Sequence, residues 1–295
     1  MRRHESARYA ELAARFYPDA TGADLDLGVD LMSWFFVFDD LFDGPDGEDP
    51  ARARALVSST MEALRRPAGP SAAPVVRAFA DLWQRSREGM SAAWRRRAAE
   101  HWCAYLQGYV TEAAHRHRGR MPTVEEHLRL RRETIGVHPT VDLAERIGHF
   151  EVPWRIHAAP WAAEMRAIAA EVDTIHNDLC SAEKEEARGE IHNLLLILER
   201  REHRTRAEGV EEMRRMIRSR TERFLVLESR LPSLCDSFRL TEAQRAAVFR
   251  FADALRAVMR GDYDWAERSG RYTSADRPDE PYANPGAFDD REAAR

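Results

Sequence analysis

Apolar residues recur at helical spacing almost from end to end of this sequence, and that pattern limits the chain to an all-α fold. Helices are expected over about 5–16, 24–42, 51–65, 73–89, 91–116, 123–135, 139–147, 158–188, 191–203, 206–230 and 241–269. Breakers such as Tyr17-Pro18-Asp19, Gly44-Pro45-Asp46-Gly47, Pro67/Pro70/Pro74 and Gly119/Pro122 separate the first six. No alternating polar and apolar run ends in an Asn-Gly or Asp-Gly turn, so no sheet is expected. Without a repeat, low-complexity block or long linker, residues 1–272 read as one helical domain around a central cavity. The Pro/Gly/Asp-rich stretch 273–295 reads as a flexible tail. Segments 24–42 and 158–188 are apolar on nearly every face, which places them at the centre of the bundle.

Composition then removes whole classes of function. A net charge of −5 on 295 residues argues against a nucleic-acid partner. No stretch of 18 apolar residues is present, so no membrane span is expected. The start, Met1-Arg2-Arg3-His4-Glu5-Ser6, lacks the apolar core of a signal peptide. Cys103, Cys180 and Cys235 are too few and too scattered for a disulfide framework or a zinc site. A cytoplasmic protein, monomeric or homodimeric, is the expectation.

Two acidic motifs stand out against this background. In Asp39-Asp40-Leu41-Phe42-Asp43, the first and last aspartates lie about 40° apart on one helix face. They crowd the C-terminal end of a very apolar helix, where the macrodipole is already negative, so a cation has to compensate. Oxygen-only ligands favour a hard one such as Mg²⁺. Taken alone, the motif reads equally well as a solvated acidic helix end. In the second motif, Asn177-Asp178-Leu179-Cys180-Ser181-Ala182-Glu183-Lys184-Glu185, residues Asn177, Ser181 and Glu185 recur every four positions. An amide, a hydroxyl and one carboxylate hold Mg²⁺ weakly alone and well when a polyanion completes the shell. Lys184 and Arg188 suit such an anion. Facing each other across a bundle mouth, the two motifs would form a Mg²⁺ site for a diphosphate.

With these residues the sequence resembles the bacterial class I terpene cyclases. DDLFD at 39–43 is similar to the family's aspartate-rich motif, and NDLCSAEKE at 177–185 to its Asn/Ser/Glu metal triad. Arg131, in RLRRETIG, corresponds to the diphosphate-sensing arginine. Thr134 and Ile135 fall on the linker and effector positions of a helix break, and Arg271-Tyr272 on the pair that caps the diphosphate. The resemblance covers essentially the whole chain. There are two departures: the family carries a further segment ahead of the helix over 5–16, and Ala266 follows Trp265 where a family member has histidine.

The resemblance implies a sesquiterpene cyclase that ionises farnesyl diphosphate with three Mg²⁺ ions. The product would be a polycyclic hydrocarbon of triquinane type, or otherwise another triquinane or a caryophyllene-type hydrocarbon. Asp39, Asp40, Asp43, Asn177, Ser181 and Glu185 would serve the metals; Arg131, Lys184, Arg188, Arg271 and Tyr272 would bind the diphosphate. Phe35 and Phe36 lie one helical turn before Asp39 and Asp40, so their rings are expected below the metals, where ring faces stabilise carbocations. Trp265 is expected on the opposite wall, and Trp34 and Phe38 in the core. Less specific features read as structural. Glu112 and His115 form one E-x-x-H where a di-iron bundle needs two, and the basic runs Arg95–Arg97 and Arg116–Arg120 read as solvated faces. Cys180 reads as pocket wall. A chain-elongating prenyltransferase would need a second DDxxD motif, which is missing. A helical binding protein or an inactive relative remains as the rival reading.

Overall fold

A computed structural model describes residues 7–42, 47 and 49–272; Asp43 and the segment 273–295 lie outside the described residues. Thirteen α-helices occur among them, and no strand. They are α1 Tyr9–Phe16, α2 Gly22–Asp40, α3 Pro50–Ala63, α4 Pro74–Arg87, α5 Ala92–Arg118, α6 Val124–Thr134 and α7 Val137–Ile147. Then follow α8 Trp154–His157, α9 Pro160–Ala187, α10 Leu194–Arg200, α11 Arg206–Ser229, α12 Leu231–Ser237, α13 Glu242–Ala266 and a 3₁₀ turn at Gly270–Tyr272.

Local chemistry sets many of these boundaries. Ser91 Oγ accepts from the Trp94 amide at the start of α5, and Gly119 (φ 60°) ends it. Thr123 and Glu126 form a capping box on α6, as do Thr241 and Gln244 on α13. Pro160 opens α9 at a position where its missing N–H costs nothing. Two short helices, α8 and α12, do not follow from periodicity because four and seven residues are too few to show it. The expected helix over 191–203 shrinks to Leu194–Arg200, since residues 188–193 form a loop tied to α5.

As the sequence implies, α9 is central: it packs against α6, α7, α10, α11 and α13. Helix α2 packs on α1, α4 and α7. Trp34 and Phe38 are buried and stacked at 4.6 Å within an aromatic core that includes Phe79 and Trp102. One large apolar cluster runs through the bundle, and a smaller one lies under α10 and α11.

A close crossing of α5 and α6 positions the helix break near the cavity. A Cβ added at Gly108 would come within 2.0 Å of Thr134 Cγ2. Gly108→Ala is therefore expected to destabilise the protein by about 1–3 kcal/mol and to displace Thr134. Denaturant melts of the two proteins measure this, and equal midpoints would refute it.

Candidate active site

Five helices end at the same side of the bundle. The last turns of α2, α5, α6 and α9, together with the 3₁₀ turn after α13, surround a cavity of about 300 Å³. Helix C-termini carry partial negative charge, and Asp39, Glu112 and Glu185 add carboxylates. The mouth thus sets carboxylates and helix C-termini beside the cationic Arg116, Arg131, Lys184, Arg188 and Arg271, a mixed lining suited to cations and an anion together. A second chamber of about 100 Å³ adjoins it, and Phe36, Asp39, Tyr109, Arg131, Asn177 and Tyr272 line both. Below these residues the second chamber is walled by Met32, Phe35, Ile135, Val137 and Val258, with the polar Thr134, Thr140, Asp173 and Asp262 beside them.

On one side of the mouth, Arg271 ties the first motif down. Its Nη2 donates to Asp39 Oδ2 and to Asp40 Oδ1, each at 3.1 Å. Burial disfavours the guanidinium charge, but Asp40, Tyr9 and Asp39 outweigh it and hold its pKa well above the usual value. Tyr109 donates to Asp39 Oδ1 at 3.2 Å.

On the other side, Asn177 joins two elements. Its Oδ1 accepts from Arg131 Nη2 at 3.0 Å and its Nδ2 donates to Tyr272 OH at 2.8 Å. Ser181 Oγ donates to the Asn177 carbonyl at 2.8 Å, which leaves the hydroxyl lone pairs available. Burial and the neighbouring Asp178 push the Glu185 carboxyl up to about 8. A cation bound beside it would remove that penalty, so the donor set fits a hard divalent ion. No cluster of three or more His, Cys, Asp or Glu offers another metal site among the described residues. Arg131 retains a buried Nε–H with no hydrogen-bond partner, a donor suited to an incoming anion.

Ile135 caps α6 and lines the second chamber; the next residue, Gly136, has φ 84° and lies against the Phe35 ring. A side chain there would have to adopt a left-handed backbone beside that ring. Phe35 stacks on Trp102 at 5.4 Å and meets the edge of Tyr105 at 5.1 Å. Phe36 lines both chambers, but Tyr9 stacks on it at 4.5 Å and the Arg271 guanidinium lies over its ring at 4.5 Å.

Four residues sit elsewhere than expected. Arg97 is not on a solvated face: it is buried and pairs with Asp142 at 3.2 Å and Glu145 at 2.6 Å. Trp265 lines neither chamber: its indole N–H donates to the Ala7 carbonyl at 2.8 Å, which anchors it behind Phe36 and Tyr272. Cys180 also lines neither, because its thiol turns toward His176 Nε2 at 3.5 Å. Arg116 is not part of a solvated face; it lines the mouth and pairs with Glu190 at 3.0 Å.

Asp178 and Asn193 line neither chamber but support the residues that do, and the motif pattern gives them no role. Asp178, almost fully buried, accepts from His127 Nε2 at 2.6 Å and from the Leu194 amide at 2.8 Å. It thereby locks α6, α9 and α10 together behind Asn177, Ser181 and Glu185. A buried acid next to the triad asparagine was the available signal.

A family model described as terpene synthase family 2, C-terminal metal binding, matches residues 30–223. This chain belongs to the terpene synthase family. The pentalenene synthase of Streptomyces avermitilis is 51% identical over 274 residues, covering 92% of this chain and 82% of that protein. The (−)-β-caryophyllene synthase of Saccharothrix espanaensis, described as cyclising (2E,6E)-farnesyl diphosphate, is 43% identical over 293 residues, or 98% and 82% of the two chains. Among solved structures, the linalool/nerolidol synthase of Streptomyces clavuligerus in complex with 2-fluorogeranyl diphosphate superposes with a TM-score of 0.84. It is 38% identical and covers 90% of each chain. The present chain is thus a class I terpene synthase, a lyase with a divalent metal cofactor.

Proposed function

We propose that this terpene synthase ionises farnesyl diphosphate with Mg²⁺, three ions when diphosphate is bound, and cyclises the C15 cation to a polycyclic hydrocarbon. A triquinane of the pentalenene type is the product reading, supported by the 51% identity to a pentalenene synthase. The observation that carries the reaction class is the pairing of a polar mouth with an adjoining chamber whose wall is built largely of aromatic and aliphatic side chains, with Thr134, Thr140, Asp173 and Asp262 among them.

Asp39 on one side, and Asn177, Ser181 and Glu185 on the other, would hold the ions, while Asp40 and Asp43 would ligate or hold Arg/Lys partners. Mg²⁺ supplies charge neutralisation for the departing diphosphate. A diphosphate is a stronger acceptor for Arg131 than the amide oxygen of Asn177, so its arrival draws the guanidinium away and frees Oδ1 for ligation. Arg271 and Tyr272 act from the facing side, with Lys184 and Arg188 at the rim, so that donors surround the oxygens on which charge develops. Below, the ring of Phe35 and the side chain of Ile135 shape the chain, and the Phe35 ring stabilises the allylic cation; Phe36, its faces covered, adds only apolar wall. With Tyr9 and Arg271 on its faces, Phe36 also holds Arg271 above the chamber.

Incubating the protein with farnesyl diphosphate and Mg²⁺ and analysing a pentane extract by gas chromatography–mass spectrometry tests the reading. A cyclic C15 hydrocarbon of 204 mass units, roughly the farnesyl cation less one proton, is the expected result. Absence of any C15 product would overturn it.

A further inference from the structure

We propose that Asn193 is a positioning residue that sets the Glu185 carboxylate for cation binding, an inference that rests on the metal-ligand reading of Glu185. Asn193 is fully buried and spends its whole hydrogen-bonding capacity on two tasks. Its Oδ1 caps α10, accepting from the Leu195 amide at 2.9 Å and the Leu196 amide at 3.3 Å. Its Nδ2 donates to the Asp178 carbonyl at 2.7 Å and to Glu185 Oε2 at 2.8 Å.

The second task is unusual for a helix cap. Glu185 has a long side chain near the end of α9, just before the loop 188–193, and nothing in its own helix dictates where its carboxylate points. Asn193 supplies that direction from outside the helix. It can do so because its own position is held from two sides. The Asp178 carbonyl fixes the amide group, and the loop before it is clasped to α5. In that clasp Glu190 accepts from the Ile191 and His192 amides at 2.7 and 2.9 Å and from Arg116 Nη1 at 3.0 Å. His192 Nε2 meets His115 Nδ1 at 3.0 Å. One carboxylate oxygen of Glu185 is thereby occupied by the amide and the other is left for a cation. Groups that orient a metal ligand in this way commonly change metal affinity by about 10–100-fold when removed.

The two tasks separate by substitution. Asn193→Asp and Asn193→Ser both keep an oxygen that caps α10. The first replaces the amide donor with a carboxylate facing Glu185, and the second falls short of it. The test uses the full chain and titrates MgCl₂ at fixed inorganic diphosphate, reading the rise in melting temperature, alongside the Mg²⁺ dependence of farnesyl diphosphate turnover. For both variants the Mg²⁺ concentration at half effect is expected to rise about 10–100-fold, while the ligand-free melt stays cooperative and close to the parent's. An unchanged Mg²⁺ requirement in both variants, with Glu185→Gln raising it, would overturn the proposal and leave the ligand reading intact. If Glu185→Gln also leaves the Mg²⁺ requirement unchanged, the ligand reading itself fails. Loss of the cooperative ligand-free transition in both Asn193 variants would assign the residue to the fold and likewise overturn the proposal.

Discussion

Asn177→Ala is expected to lower turnover of farnesyl diphosphate by about three orders of magnitude, or ~4 kcal/mol of transition-state stabilisation. The residue stands at the junction of three proposed parts: the sensing Arg131, the capping Tyr272 and the cation site shared with Ser181 and Glu185. Removing its amide deletes a ligand and also releases the two groups that should meet the diphosphate together. Such effects fall on the step in which charge separates, so kcat drops more than KM rises. Stability should change little, because Asn177 lines the mouth and water can take over its bonds. Steady-state kinetics and a ligand-free melt decide the matter together. Turnover within tenfold of the parent would remove Asn177 from the metal site, and loss of the folded state would make it structural.

Arg271→Ala is expected to cost about 10²–10³ in kcat, the scale found when one preorganised donor to developing negative charge is removed. Its guanidinium bridges Asp39 and Asp40 and rests on the Phe36 ring, so the alanine variant leaves Asp39 at the mouth and the buried Asp40 behind it without their shared counter-charge. Arg271→Lys restores a charge but not a planar fork that reaches both carboxylates, and should recover activity only in part. Release of inorganic diphosphate, followed at saturating Mg²⁺, is the measurement. A lysine variant as active as the parent would show that charge alone suffices; an alanine variant of parental activity would remove Arg271 from the reaction.

Much of the molecule was legible before any coordinates. Long helices such as Ala92–Arg118 and Pro160–Ala187 follow from periodicity and capping, because a helix is a local structure with repeating contacts. The two motifs were legible for the same reason: ligands four residues apart share one face wherever the helix goes. Trp265 shows where this stops. Its phase on α13 was readable, but the Ala7 carbonyl that captures its N–H is 258 positions away, and that contact turns the ring from the chamber wall into a buttress. Arg116 looked like one more charge in a basic run until Glu190, brought round by the loop after α9, paired with it at the mouth.

The sequence by itself therefore determined an all-helical chain and the two apolar helices that carry ligand-type residues. These properties depend on neighbours within about two helical turns. Only the tertiary structure decided how five helix ends meet around one mouth, which of two adjacent phenylalanines has its faces occupied, and which buried asparagine holds the Glu185 carboxylate. Those outcomes depend on side chains tens to hundreds of positions apart. Their contacts are set by how the bundle packs as a whole, and no local pattern encodes them.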